Sequence, residues 1–161
     1  MSQIHIRKAG SMDAVNIAAL LNEIIAKGGT TAMVRPVLTK DIQKWMTQSK
    51  SVWHLAENSA GAILGFQWIE PHPDLPEDAT DIASFVKLGQ TGLGIGTALF
   101  EATARAAREM GYRKIDAIIR ADNSGGLAYY QSRGFETIRI LADTKLEDGT
   151  CVDKIWKRFY L

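Results

Sequence analysis

Cysteine is nearly absent from this 161-residue chain: Cys151 stands alone, so no internal disulfide and no multi-cysteine metal site can form. An excess of either charge is also lacking. Nineteen Lys and Arg face eighteen Asp and Glu, a formal net charge of +1, which argues against bulk attraction to nucleic acid or an anionic membrane. No apolar run approaches the roughly 20 residues that cross a bilayer. The opening Met1-Ser2-Gln3-Ile4-His5-Ile6 lacks the basic, apolar, small-residue order of a secretory leader. A reducing cytoplasm is the expected location. What remains is 46% apolar and 23% charged residues, the balance of an ordinary globular protein with a core of its own. One domain spanning residues 1–161 is expected.

Periodicity supplies the elements. Ile4-His5-Ile6-Arg7-Lys8 alternates as a short strand, and Gly10-Ser11 breaks it ahead of a helix carrying Ile17, Leu20, Leu21 and Ile24. Asp13 falls in that helix's first turn and Gly28-Gly29 closes it. Thr39 is expected to cap a second helix with Ile42, Trp45 and Met46 on one face. Strands are expected at 52–56, 63–69 and about 80–88, with the proline-bearing loop 71–76 before the last of them. Ile95, Ala98, Leu99, Ala102, Ala106 and Met110 then draw an apolar stripe down a long helix stopped by Gly111. A strand at 114–119, a short helix at 124–133 and strands at 136–141 and 152–159 complete the order. Short turns favour antiparallel pairs, whereas the helix from Ile95 joins its flanking strands as a crossover and favours a parallel pair. The expected class is α/β (α+β): a mixed, mostly antiparallel sheet of about seven strands with helices on both faces.

One corner of this pattern is nearly bare of side chains. In FVKLGQTGLGIGTAL, residues 85–99, four glycines fall within eight positions immediately before the long helix. A helix N-terminus carries unpaired N–H groups and partial positive charge, and glycines let a phosphate approach that backbone. The corner therefore reads as a pyrophosphate cradle; the plainer alternative is a turn that only lets helix and strand pack closely. A P-loop reading is weakened, because Ile95-Gly96 stands where Lys and Ser or Thr must follow. A dinucleotide fingerprint fails too, since Thr97 and Leu99 occupy the positions of its last glycine in the two possible registers.

Val86-Lys87-Leu88-Gly89-Gln90-Thr91-Gly92-Leu93-Gly94-Ile95-Gly96 resembles the acetyl-CoA signature of the GNAT superfamily of N-acetyltransferases, which ends in Gln/Arg-x-x-Gly-x-Gly/Ala. Asn123 through Gly134-Phe135, with Tyr130 between, is similar to that family's second motif. The order of elements matches over essentially the whole chain. Gly28-Gly29-Thr30-Thr31 through Pro36 and Trp45 is more loosely similar to the phosphinothricin and amino-acid N-acetyltransferase branch. Thr91 departs from the pattern where Gln or Arg is usual, and Gln90 lies one residue early.

The resemblance implies acetyl-CoA as cosubstrate and no metal. It places the backbone of Val86 and Leu88 along the pantetheine arm, Leu93, Gly94, Gly96 and Thr97 around the pyrophosphate, and Asn123 near the arm. Tyr130 matches the family's general acid, which protonates the departing thiolate; Tyr129 beside it reads as a packing residue. An amine of pKa near 10 is mostly charged at neutral pH, so its proton must be removed. Asp81 and Glu70 are the candidate bases, and the Leu88 N–H is a candidate oxyanion donor. His72 reads as a solvated loop histidine, Cys151 as incidental, and the four tryptophans as packing residues. Asn22, Glu23 and Arg35 flank the acceptor wall of such folds and read most simply as solvated surface.

The function this implies is transfer of an acetyl group to the primary amine of a small molecule, an amino acid or an amino-bearing toxin, by direct attack in a ternary complex. A homodimer is expected from the resemblance, with no nucleic-acid or membrane partner. Two alternatives stand beside it: a protein or peptide amine as acceptor, and a non-catalytic CoA-binding sensor.

Overall fold

The computed structural model describes residues 3–90 and 94–161. Seven strands form one sheet in the order β1-β2-β3-β4-β5-β7-β6. The strands are β1 (His5–Lys8), β2 (Val52–Glu57), β3 (Ile63–Glu70), β4 (Ala79–Val86), β5 (Lys114–Arg120), β6 (Glu136–Lys145) and β7 (Cys151–Tyr160). The helices are α1 (Ala14–Lys27), α2 (Thr39–Met46), α3 (Ile95–Glu109) and α4 (Ser124–Ser132), with a 3-10 turn (Ser11–Asp13) ahead of α1. Every pairing is antiparallel except that of β4 with β5, the pair joined through α3. The expected mixed sheet and its single crossover are both present.

The period of two in the strands decides which residues face which helices. Trp53 and Leu55 of β2, Phe66 and Trp68 of β3 and Phe85 of β4 pack with α1 and α2 on one face. The Trp53 and Trp68 rings stack there at 4.1 Å, 3° from parallel, with Phe66, Phe85 and Trp45 extending the stack. On the other face, Ile69, Ile82, Ile115, Ala117 and Ile119 pack against Phe100, Ala104 and Ala107 of α3 and Tyr130 of α4. The two helical layers are each buried by one parity of the same strands.

Two local expectations change. Thr39 is the first residue of α2 rather than its cap. Leu38 occupies the cap position, and the Asp41 carboxylate accepts from the Leu38 N–H at 2.9 Å. The fourth strand ends at Val86 rather than Leu88: Lys87 N–H still reaches the Leu64 carbonyl, and Gln90 N–H then turns back onto Lys87. Leu88 is therefore in an exposed turn.

The geometry that matters most is where β4 and β5 part. They pair only from Ala79–Lys114 to Asp81–Asp116. Beyond that point β4 continues to Val86, held on its far edge by β3, and β5 continues to Arg120, held on its far edge by β7. The facing edges of Ile82–Val86 and Ala117–Arg120 carry no ladder between them. An unpaired edge of N–H and C=O groups inside a protein is a template for an added strand.

Candidate active site

The glycine corner opens α3 at this parting. Gly94 sits at the helix N-cap with φ +81°, a left-handed conformation that glycine adopts without strain. The first bond of the helix runs from Ala98 N–H to the Gly94 carbonyl. The amides of Ile95, Gly96 and Thr97 thus precede any helical partner, which is the arrangement that attracts an anion. Gly96 has a further reason to be small: a Cβ there would lie 2.6 Å from Cε1 of Tyr129. The expected contacts of Leu93, and the departure at Thr91, lie outside the described residues.

Tyr129 and Tyr130 take unlike tasks. Tyr129 donates its phenol proton to the Gly96 carbonyl at 2.7 Å and accepts from the Gln67 amide at 3.1 Å. It pins the first turn of α3 to α4 and so does more than pack; burial pushes its pKa up to about 12. Tyr130 is the more deeply buried ring, 6% exposed, between Tyr129 and Phe135. Its phenol oxygen lies 2.7 Å from Ser84 Oγ, on the β4 edge beside the parting. Burial holds its pKa far above the usual phenol range, and the Ser84 hydrogen bond pulls it partly back.

The carboxylates occupy the opposite face of the same strands. Asp81 and Glu70 are register partners on β4 and β3, and Asp81 is also the partner of Asp116 on β5. Asp116 is fully buried and accepts from Trp156 Nε1 at 2.9 Å and from the Arg158 guanidinium at 2.8 Å. That clamp holds the Asp116 carboxylate in place beside Asp81. Burial first, then the charges of Glu70 and Asp116, push Asp81 up to about 7. Glu70 is also raised, chiefly by burial. Asp81 is thus poised to take or release a proton near neutrality.

Asn123 begins α4, as its motif position suggests. Its Oδ1 accepts from Gly126 N–H at 3.0 Å, and its Nδ2 donates to the Thr30 carbonyl at 3.1 Å. The segment between α1 and α2 is tied across the sheet by this bond, by Arg120 donating to the Thr31 carbonyl, and by the Arg35–Glu147 ion pair. Asn22 holds both backbone groups of Val37, at 2.7 and 2.9 Å. Asn22 is therefore a fastener of this wall rather than solvated surface, whereas Arg35 and Glu23 stay exposed, as expected. His72 is partly exposed and its Nδ1 accepts from Asp74 N–H, an ordinary loop role.

The structure thus gathers Tyr130, Asp81 and Glu70 around the strand parting, with Val86 at its rim and Gly94, Gly96 and Thr97 at the start of α3. Sequence reasoning passed over Gln67, Ser84 and Asp116. Each is a polar residue with an apolar neighbour on either side within its strand, the one signal that could have singled them out.

The model of the acetyltransferase (GNAT) family matches residues 20–135, and this chain belongs to that family. A mycothiol acetyltransferase of Saccharomonospora viridis is 32% identical over 90 residues, covering 52% of this chain and 29% of that protein. The chain spans about a third of the length of the mycothiol acetyltransferases it matches. An L-methionine sulfoximine/L-methionine sulfone acetyltransferase of Pseudomonas aeruginosa is 29% identical over 140 residues, covering 81% of this chain and 79% of that protein. The solved phosphinothricin acetyltransferase of Sinorhizobium meliloti, in complex with acetyl-CoA, superposes with a TM-score of 0.87 at 19% identity, over 98% of this chain and 88% of that one. The fold is shared, and the methionine sulfoximine and phosphinothricin acetyltransferases among the relatives support the phosphinothricin and amino-acid branch that the 28–45 segment resembles.

Proposed function

We propose that the protein transfers an acetyl group from acetyl-CoA to the primary amine of a small molecule related to an amino acid. The observation that carries this reading is the placement of two proton-handling groups on opposite faces of β4 at the parting. Asp81 shares its side with Ala83 and Phe85, facing α1 and α2, whereas Ser84 and Tyr130 meet on the α3/α4 side. A direct transfer needs a base on the side where the amine arrives and an acid on the side where the thiolate leaves.

The residues fit the cosubstrate's chemistry. The free edge Ile82–Val86 supplies backbone groups of the spacing an amide-bearing pantetheine arm can pair with, and the first turn of α3 supplies N–H groups for its diphosphate. The thioester, when bound, supplies the activated acyl group. Asp81, assisted by Glu70, then receives the amine proton as nitrogen attacks. The C–S bond breaks with its electron pair on sulfur, and the Tyr130 phenol gives that sulfur a proton. The Leu88 N–H, in the turn that follows β4, is the proposed oxyanion donor. Asn123 stays a proposed neighbour of the arm, though both ends of its amide already hold backbone groups. The homologues named for methionine sulfoximine and phosphinothricin support an amino-acid-like acceptor. One domain, a cytoplasmic location and a homodimer belong to the same proposal.

The test is thiol release from acetyl-CoA across methionine sulfoximine, phosphinothricin, free amino acids and short peptides, with CoA affinity measured by calorimetry. Release that depends on an amino-acid-like amine is the expected result. Release driven only by peptides shifts the acceptor class, and tight CoA binding with no release for any amine overturns the enzyme reading.

A further inference from the structure

We propose that Gln67 and Ser84 are positioning residues that aim the Tyr130 proton into the gap between β4 and β5. This rests on the reading of Tyr130 as the acid. The argument starts at an atom that can only accept, the Gly96 carbonyl. It lies 2.7 Å from the Tyr129 oxygen and so takes the single Tyr129 proton. Tyr129 must then accept from Gln67, which obliges the Gln67 side chain to present its NH2 end.

That NH2 has a second hydrogen, and Ser84 Oγ receives it at 2.8 Å. Ser84 keeps its own proton, and among the described residues the Tyr130 oxygen, at 2.7 Å, is the acceptor in good hydrogen-bond geometry with it; the Tyr129 oxygen also lies near Ser84 but already accepts from Gln67. Ser84 therefore donates to Tyr130, and the Tyr130 proton points away from Ser84. Gln67 Oε1 is left buried without a partner. Turning the amide does not cure this: it sets an oxygen against the Tyr129 oxygen at 3.1 Å with no hydrogen between, and strands two donors instead.

The polarity has a chemical use. A free phenol (pKa near 10) is a weaker acid than a free thiol (near 8.5), so protonating the departing sulfur is uphill without help to the phenolate. A Ser84 hydroxyl already directed at the phenol oxygen strengthens its hydrogen bond as the proton leaves and charge appears. The phenolate regains its proton from solvent after the products leave.

Proton positions in a neutron structure of the deuterated, ligand-free chain decide the question. The expected result places the shared deuteron on Ser84 and the Gln67 amide nitrogen toward Tyr129. A Tyr130 deuteron lying on Ser84, or the Gln67 oxygen facing Tyr129, overturns the proposal. Turnover with methionine sulfoximine adds a functional reading. Ser84→Ala is expected to lower kcat roughly tenfold or more with acetyl-CoA Kd held within about twofold, and Ser84→Thr to restore most of it. In a Tyr130→Phe background the same Ser84→Ala change should alter kcat by less than about twofold. Equal losses in both backgrounds overturn the positioning role while leaving Tyr130 as the acid. An unchanged kcat in Tyr130→Phe alone removes the acid reading, and the neutron positions still settle the polarity.

Discussion

Strands β2, β3 and β4 present opposite chemistries on their two faces. Toward α1 and α2 they offer Trp53, Leu55, Phe66, Trp68 and Phe85, a stack of rings and branched chains. Toward α3 and α4 the same strands place His54, Gln67 and Ser84 in one cross-strand row. Aromatic stacking stabilises through area and needs no directional partner. A buried polar row costs free energy unless its hydrogen bonds are met, and here it is tolerated where it reaches Tyr129 and Tyr130. The stacked face carries most of the apolar packing, with Asp81 and Glu70 at its end, and the other face carries the polar row that meets Tyr129 and Tyr130.

The largest expected effect breaks the first face. Trp68→Ala removes the centre of the stack and should destabilise by about 3–5 kcal/mol, read by denaturant unfolding, because the rigid surroundings refill little of the cavity. Tyr130→Phe tests the second face. It should lower kcat by about two orders of magnitude with little change in thermal midpoint, seen in steady-state thiol release.

Asp81→Asn separates activity from stability. The folded pKa of Asp81 is raised to about 7, so the native state holds its proton more tightly than the unfolded chain does. The stability this contributes is fully present below the unfolded value near 4 and is lost as pH rises through 7. The Asn variant should therefore match the parent near pH 4 and exceed it at pH 8, by on the order of 2–4 kcal/mol. The parent's turnover should rise through pH 7, and the Asn variant should lose that rise. An equal stability difference at both pH values would show that Asp81 is not the titrating group.

Gly96→Ala is milder. The added methyl meets Tyr129 and should cost roughly 1–3 kcal/mol, with a weaker acetyl-CoA affinity by calorimetry as α3 shifts. Smallest is Arg7→Ala. Arg7 binds Asp13 and Glu57 at the sheet margin, partly exposed, and its loss should cost below about 1 kcal/mol with no change in kcat.

Much of this was legible in residue order. The corner at 89–96, the stripe of α3 and the Asn123–Phe135 segment depend on local spacing, and local spacing is what a chain displays. The strand that was expected to reach Leu88 stops at Val86, because the turn onto Lys87 is chosen by tertiary pairing with Leu64. Tyr129 reads as packing until α3 is laid against α4, when Gly96 proves to be its hydrogen-bond partner. Gln67 and Ser84 lie seventeen positions apart and meet only through the β3–β4 register.

Sequence alone determined the family, the element order, the crossover and the identity of the candidate acid and bases. These follow from periods of two and 3.6 residues, glycine placement and motif spacing, all carried within short windows of chain. Tertiary structure decided which face of β4 each group occupies, how burial, with Glu70 and Asp116 beside it, raises Asp81, and that Gln67, Ser84, Tyr129 and Tyr130 meet at all. Those outcomes depend on distances between strands, where a shift of one residue in register would turn every one of these side chains to the other side.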